Sequence, residues 1–238
     1  EGQMLEKVLA FDIWGDYAHF RKIYTTSSPL TYSFPPRTAL SGLIGAIVGF
    51  DKEDYFRHFL LKDAKIGCKI IEPIKKVRIG VNLINTKLAV KMHLIKNRNQ
   101  VRVEFVKDPR YRIYFSHSDE ALYNNLRSLL INHQSIYTPC LGLSQLICNF
   151  RFVGEFGLKR LGEGLQTIDS VVPGKCIISP EIEEGKEYFS ELLPNEMNES
   201  RVVTNYSEIL FERNGKEIKA EARDVWEIDN NGKRIAFL

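Results

Sequence analysis

The residues best suited to chemistry lie close together near the amino terminus, between residues 16 and 37. They combine cations with aromatic rings, and the members that we single out are Tyr17, His19, Phe20, Arg21, Lys22, Tyr24, Tyr32 and Arg37. Cationic side chains neutralise phosphates, and exposed aromatic rings offer faces on which unpaired bases stack. The composition therefore indicates a loop that binds single-stranded RNA. The alternative is a surface loop whose aromatic rings pack beneath it.

Two regular elements must hold this loop. The apolar run from Val8 to Trp14 predicts a central strand before it. After Pro35 and Pro36, a helix can begin at Arg37 or Thr38. Its apolar positions recur at the spacing of a buried helical stripe, namely Leu40, Leu43, Ile44, Ile47 and Val48. The loop is thus expected at a strand-to-helix junction, where backbone amides at the helix start can also meet a phosphate.

The overall composition is that of an ordinary soluble globule, with 44% hydrophobic and 26% charged residues. The charge is divided unevenly. Residues 62–114 carry fourteen Lys and Arg against four Asp and Glu, a net charge of +10, whereas residues 179–238 carry eight against fourteen, a net charge of −6. A basic centre predicts an anionic partner on one face, and the alternative is that exposed strands and turns collect lysines.

Several classes of protein are not expected. The four cysteines lie far apart and form no CxxC pair, so we expect free thiols, no metal site and no cofactor. An apolar run of membrane-spanning length and a signal peptide are both missing from the sequence. We therefore expect a cytoplasmic protein without a membrane partner.

A basic ribbon is predicted between residues 87 and 110. Apolar and polar residues alternate on both sides of a turn at Asn97–Gln100, which is typical of a two-stranded hairpin. The cations and the imidazole that we expect on this hairpin are Lys91, His93, Lys96, Arg98 and Arg102. The alternative is an ordinary hairpin of the sheet.

The elements follow one another as strand, helix, strand, hairpin, strand, helix and strand. This order predicts an α+β fold, a ferredoxin-like or RRM-like βαββαβ domain over residues 4–156 with the basic hairpin inserted. Residues 157–238 are expected to form a small β-rich region that serves packing and assembly. Between the two, a glycine-punctuated segment at 154–164 carries Lys159 and Arg160. It is either an RNA-contacting loop or a plain turn.

The amino-terminal stretch resembles a known family. The segments GDYAHFRK (15–22), TYSFPPRTAL (31–40) and GLIGAI (42–47), together with Pro139-x-Leu141-Gly142, are similar in order to the signature of the CRISPR-associated Cas family five. The resemblance covers about thirty-five ordered positions and is weaker over the rest of the chain. It implies a subunit of a type I Cascade complex, and the form of the motifs resembles type I-B members.

The resemblance also implies partners and residue roles. The eight loop residues named first would bind RNA: Tyr17, His19, Phe20, Arg21 and Lys22 would hold the 5′ handle of the guide crRNA, with Tyr32 and Arg37 beside it at the strand-to-helix junction. The hairpin would be the family's thumb, which contacts the Cascade backbone subunit and the first paired segment. The Cascade large subunit is a further implied partner, and the target DNA is met indirectly because base pairing by the guide reads its sequence.

An enzymatic alternative stays open. Some family members are metal-independent endoribonucleases that cut CRISPR repeat RNA with its own 2′-OH, which requires a base, an acid and cationic stabilisation. Candidates for these roles are His19, Tyr24, Tyr32, Lys91 and His93. They form no recognisable constellation in the sequence, so we expect a non-catalytic protein. A third reading is a generic RRM-like protein outside CRISPR systems.

Overall fold

The computed structural model describes residues 6–25, 28–84, 98–229 and 232–238, and this part of the chain is mostly β-structure. It contains two α-helices, α1 (Arg37–Val48) and α2 (Glu120–Ile131), and two short 3-10 turns. The first seven strands are β1 (Glu6–Trp14), β2 (Tyr17–Ala18), β3 (Ala64–Ile70), β4 (Lys75–Ile84), β5 (Arg98–Lys107), β6 (Arg110–His117) and β7 (Asn149–Arg160). The remaining eight are β8 (Gly164–Ile168), β9 (Val172–Pro173), β10 (Ile177–Glu181), β11 (Tyr188–Met197), β12 (Val203–Glu212), β13 (Ile218–Ala222), β14 (Trp226–Ile228) and β15 (Arg234–Ile235).

A six-stranded antiparallel sheet forms the centre, in the order β15-β14-β7-β1-β6-β3. Side chains alternate between the two faces of each strand. On one face of β1, Leu9, Phe11 and Ile13 join the main apolar core with both helices. On the other face, Val8 and Ala10 pack with residues of β14, β15 and the carboxyl terminus in a second, smaller cluster. The central sheet is therefore covered on both faces around Val8, Leu9 and Ala10 of β1.

Both predicted helices are confirmed, and their ends have local causes. Helix α1 follows Pro36, and Gly49 ends it in the left-handed conformation with φ of 90°. Helix α2 begins after Asp119, whose carboxylate accepts hydrogen bonds from the backbone amides of Ala121 and Leu122. The apolar stripe of α1 is buried in the main core, as its spacing predicted.

The hairpin is present with its expected second arm, β5, and with a first arm other than the expected one. Strand β5 pairs with β4, so that Asn99 lies opposite Leu83 and Gln100 opposite Asn82. The predicted turn at Asn97–Gln100 is thus wrong where it is described, since Arg98 to Gln100 are part of a strand. The first arm is Lys75–Ile84, which lies before the segment in which the hairpin is predicted. Lys91, His93 and Lys96 lie outside the described residues.

The expected fold class is wrong. Strand makes up 48% of the structure and helix 15%, so the ferredoxin-like or RRM-like α+β description does not apply. A βαββαβ pattern supplies four strands to one sheet, whereas the central sheet has six because β14 and β15 extend it beside β7. Three further three-stranded sheets surround it: β10-β13-β8, β11-β12-β9 and β2-β5-β4. Distant strand pairing of this kind leaves no local pattern in the sequence.

Strand β7 changes two further expectations. It runs from Asn149 to Arg160, so the predicted loop at 154–164 is wrong over most of its length, and Lys159 and Arg160 are strand residues. The boundary proposed at 156/157 falls inside this strand. The division into 4–156 and 157–238 stays a prediction.

Candidate nucleic-acid interface

The loop between β1 and α1 folds back on itself. The backbone amide of Lys22 donates to the carbonyl of Leu30 at 2.9 Å, and that of Tyr32 donates to the carbonyl of Phe20 at 2.8 Å. The Thr25 hydroxyl donates to the Lys22 carbonyl at 2.7 Å and closes the turn. In the described part of the loop, which leaves out residues 26 and 27, the two halves are thus hydrogen-bonded to each other.

Four of the eight predicted loop residues are buried. Phe20 and Tyr32 lie in the main core. His19 is 3% exposed, and its Nδ1 lies 2.7 Å from the carbonyl oxygen of Glu104. The Arg37 guanidinium donates to the carbonyl of Ala64 at 2.8 Å, and burial lowers the pKa of Arg37 to about 10. These side chains position the loop and are enclosed in this structure.

The other four predicted residues reach the surface to different extents. Tyr24 is 72% exposed, and Arg21 is exposed beside it. Tyr17 is half-buried, with its ring edge against Phe105 at a centroid distance of 6.0 Å. Lys22 is half-buried as well. Exposed rings and cations in this arrangement suit the stacking and phosphate contacts by which proteins hold single-stranded RNA.

Glu191 of β11 ties the loop to the carboxyl-terminal half of the chain. Its carboxylate accepts from Lys22 Nζ at 3.1 Å, from the Ser33 hydroxyl at 3.0 Å and from the Ser33 amide at 3.0 Å. Lys76 Nζ of the hairpin lies 3.5 Å away. Burial disfavours the ionised acid, but these cations and the amide outweigh it, so the pKa of Glu191 is lowered. Loop, hairpin and β11 therefore meet at one carboxylate.

A cleft of about 390 Å³ opens beside this carboxylate, a size in the range of small-ligand sites. Its lining is Lys22, Ile23, Tyr24, Tyr32, Ser190, Glu191, Leu192 and Tyr206. Tyr24 and Tyr206 are exposed, whereas Tyr32 is buried and its pKa is raised to about 12 by that burial. Lys22 Nζ lies 5.2 Å from the centre of the Tyr32 ring. Two exposed phenol rings and one ammonium group can hold an unpaired base and its phosphate.

Sequence reasoning missed the far wall of this cleft. Ser190, Glu191, Leu192 and Tyr206 come from the carboxyl-terminal region, which had been assigned to packing and assembly. Glu191 lies 169 residues from Lys22, so no local spacing in the sequence links the two residues. The acidic character of the region was the available signal, because a half-buried lysine in the loop is stabilised by a carboxylate partner.

The hairpin has a basic face and an apolar face. Its arms carry six Lys and Arg against one Glu, a net charge of +5. Arg98 and Arg102 are exposed, and Arg78 Nε lies 3.6 Å from Glu104. On the other face, Phe105 is buried under Tyr17 and His19. The end of the hairpin around Phe105, which we call its foot, therefore supports the loop. The described parts of the arms beyond Phe105 present cations to solvent.

Lys159 and Arg160 lie away from the loop. Both are exposed, and Arg160 forms an ion pair with Asp224 and lies over the Trp226 ring at 6.0 Å from its centre. The described residues contain no group of three or more His, Cys, Asp or Glu side chains that could hold a metal ion. Neither described helix is long and apolar enough to cross a membrane.

The chain belongs to a family of CRISPR-associated proteins. Residues 8–162 match the family model described as "CRISPR-associated protein (Cas_Cas5)", which covers the loop, the hairpin and β7. The resemblance read from the amino-terminal motifs is thereby confirmed. A comparison with curated proteins found no match.

Solved structures share the fold at low sequence identity. A CRISPR protein from Archaeoglobus fulgidus is 16% identical, with a TM-score of 0.58 over 98% of both chains. A chain of a structure titled "CRISPR RNA-guided surveillance complex" is 12% identical, with a TM-score of 0.52 over 91% of this chain and 92% of that chain. A chain of a Type III-B Cmr-beta complex bound to cognate target RNA is 9% identical, with a TM-score of 0.50 over 96% and 98%.

Proposed function

We propose that this protein is a non-catalytic RNA-binding subunit of a type I CRISPR effector (Cascade) complex, of type I-B character, acting in the cytoplasm without a membrane partner. Its task there is to hold the 5′ handle of the guide crRNA. The observation that carries the proposal is the cleft that exposed Tyr24 and Tyr206 line together with Lys22. Membership of the Cas5 family supports the setting.

The handle would lie along the outer side of the loop. Arg21 and Lys22 supply positive charge for phosphates, and Tyr24 supplies a face for a base. His19, Phe20, Tyr32 and Arg37 act beneath them as positioning residues because their side chains are buried. This division refines the set of eight residues that the sequence suggested.

The hairpin and the complex complete the proposal. Exposed Arg98 and Arg102 suit the phosphates of the first paired segment, and the hairpin would also contact the backbone subunit. The likeness to a chain of the CRISPR RNA-guided surveillance complex supports a place in a multi-subunit complex, and a large subunit is a further partner in this proposal. Contact with target DNA would be indirect, through the guide.

The geometry of the candidate catalytic groups supports binding over cleavage. A general base must reach the proton that it removes, and a general acid must release its own proton readily. His19 is buried with Nδ1 against a backbone carbonyl, and the pKa of Tyr32 is raised to about 12 by burial. Tyr24 is exposed, with neither of these two groups free to act beside it. Lys91 and His93 lie outside the described residues.

One assay distinguishes RNA binding from RNA cleavage. The purified chain is incubated, in the presence of EDTA, with labelled CRISPR repeat RNA and with a mature guide bearing its 5′ handle. We expect tight binding of the handle and an intact repeat. A discrete cut in the repeat would overturn the non-catalytic assignment. Failure to bind the handle would overturn the proposed function.

Substitution of exposed loop residues tests where the handle lies. We expect Arg21→Glu combined with Tyr24→Ala to weaken handle binding at least about 100-fold, since one phosphate contact and one stacked base are lost. The melting temperature should stay at its wild-type value because both side chains are exposed.

Lys22 is unsuitable for the same test because its replacement would break the ion pair with Glu191. Arg57→Glu is the matched control, since this arginine is 57% exposed and lies in the short turn after α1. Equal affinity of the loop variant and the control would place the handle elsewhere.

A further inference from the structure

Three arginines surround one buried carboxylate on the face of the central sheet that carries Val8 and Ala10. Asp12 of β1 is 1% exposed and lies opposite Arg112 of β6 and Arg151 of β7. Arg112 binds it bidentately, with Nε at 2.7 Å and Nη2 at 3.2 Å. Arg151 Nη2 is 3.5 Å away and Arg110 Nη2 is 3.9 Å away. We call Asp12, Arg110, Arg112 and Arg151 the sheet-face arginine cluster.

The charges of this cluster do not cancel. One carboxylate offsets one guanidinium, and Arg112 already satisfies it in the fork geometry that guanidinium groups prefer. Arg110 and Arg151 are too distant for good hydrogen bonds to Asp12, so two positive charges remain. The Nε atom of Arg110 is buried and has no hydrogen-bond partner. Because the side chains of Arg110 and Arg151 are 37% and 63% exposed, this excess positive charge is accessible to an anion from solvent.

The ring of Trp14 and the loop between β1 and α1 lie close to these cations and favour a nucleic acid as the anion. The Arg110 guanidinium lies 5.7 Å from the centre of the half-buried Trp14 ring, so a stacking surface adjoins the cations. Trp14 ends β1, and Tyr17 of the loop follows three residues later, at most about 11 Å along an extended chain. One nucleic-acid strand can therefore contact both surfaces.

We propose that the sheet-face arginine cluster binds a phosphodiester group of single-stranded RNA, with the adjacent base stacked on Trp14. The inference rests on the proposed function for the class of partner, and it adds a second contact surface to the loop and cleft. Arg110 and Arg151 hold the phosphate. Arg112 keeps Asp12 neutralised and leaves the other two guanidinium groups available.

The salt dependence of RNA binding tests the cluster. Affinity for a labelled oligouridylate is measured over a range of salt concentrations for the wild type and for Arg110→Gln combined with Arg151→Gln. Each phosphate contact contributes about 0.7 to the slope of log affinity against log salt for single strands. We expect the variant to bind roughly tenfold more weakly, with a slope shallower by about 0.7, because one phosphate contact is lost.

Arg57→Gln combined with Arg234→Gln is the matched control. These arginines are 57% and 35% exposed, against 63% and 37% for Arg151 and Arg110, and they also pair with surface carboxylates. The control should keep wild-type affinity and slope. Thermal unfolding of both variants verifies that they are folded.

The outcomes separate this inference from the proposed function. Wild-type affinity and slope in the Arg110/Arg151 variant would overturn the cluster and leave handle binding by the loop intact. Weaker binding with an unchanged slope would also overturn it, because a lost phosphate contact must change the slope. If the wild-type protein bound no RNA, the proposed function itself would fail.

Discussion

Glu191 joins the loop, the hairpin and β11 through one carboxylate. Both the Lys22 and the Lys76 ammonium groups lie within 3.5 Å of it, so removing its charge leaves Lys22 without this partner and Lys76 with the more distant Glu104 at 4.0 Å. Burial disfavours charged Lys22, but Glu191 outweighs it and raises the pKa of Lys22. Each partner thus stabilises the ionised form of the other. The shape of the cleft depends on this carboxylate.

We therefore expect Glu191→Gln to lower the free energy of unfolding by about 2 kcal/mol at neutral pH. Because the folded pKa of Glu191 is lowered, its stabilisation is fully present above the unfolded value of about 4.3 and is lost as the pH falls through the folded value. The difference between variant and wild type should hence shrink in acid. Urea unfolding at neutral and acidic pH measures it.

The control for this substitution is Glu208→Gln on the neighbouring strand. Glu208 is exposed and accepts a hydrogen bond from the Ser190 hydroxyl at 2.8 Å. It should change stability by less than about 0.5 kcal/mol at either pH. A Glu191→Gln deficit that stays constant with pH would contradict the role of its charge.

The position of the loop also depends on Gly142, which packs against the backbone of His19. It has φ of 97°, and a Cβ atom there would collide with the carbonyl oxygen of His19. We expect Gly142→Ala to cost about 3 kcal/mol of stability and to weaken handle binding, since the loop must move. Gly162→Ala is the control, because nothing lies within 4 Å of its Cβ position. Wild-type stability in Gly142→Ala would contradict this packing of the loop.

At the scale of elements, the sequence predicted the strands and helices whose burial follows a local hydrophobic pattern. The apolar run of β1 and the stripe of α1 are confirmed because core burial follows periodicity. The hairpin was expected with another first arm, since which strand pairs with β5 depends on tertiary packing. The same reason explains the wrong fold class, because β14 reaches β7 from a distant part of the sequence. The eight loop residues stay a prediction as an RNA-binding set, and the local sequence held no signal that Glu191 and Tyr206 lie beside them.

The foot of the hairpin, around Phe105, is buried in the folded core, whereas the described parts of the arms beyond it are more exposed. Phe105 is 7% exposed against Tyr17 and His19, and Ile79 is 38% exposed. We expect Phe105→Ala to cost about 3–5 kcal/mol. Ile79→Ala, the control, should cost less than about 1 kcal/mol. Urea unfolding compares the two, and equal small effects would show that the hairpin does not support the loop.

At the scale of the whole molecule, basic and acidic regions have different tasks. The hairpin arms and the sheet-face arginine cluster are positive, and RNA is the partner that we propose for them. The acidic carboxyl-terminal region contributes Glu191 as the internal counter-charge that orders the loop. The negative charge of the carboxyl-terminal region thus has a structural use, and binding of an anionic partner is the use that we propose for the positive charge.

The central claim is that Tyr24 lies against the 5′ handle of the guide. The most direct measurement places the photo-crosslinking residue p-benzoylphenylalanine at Tyr24 in the assembled complex and maps the crosslinked nucleotide. The exposed Tyr137 is the control position, far along the chain beyond α2. The account predicts a crosslink within the handle from position 24 and none from position 137. A crosslink from position 24 to the spacer, or to no RNA, would contradict it.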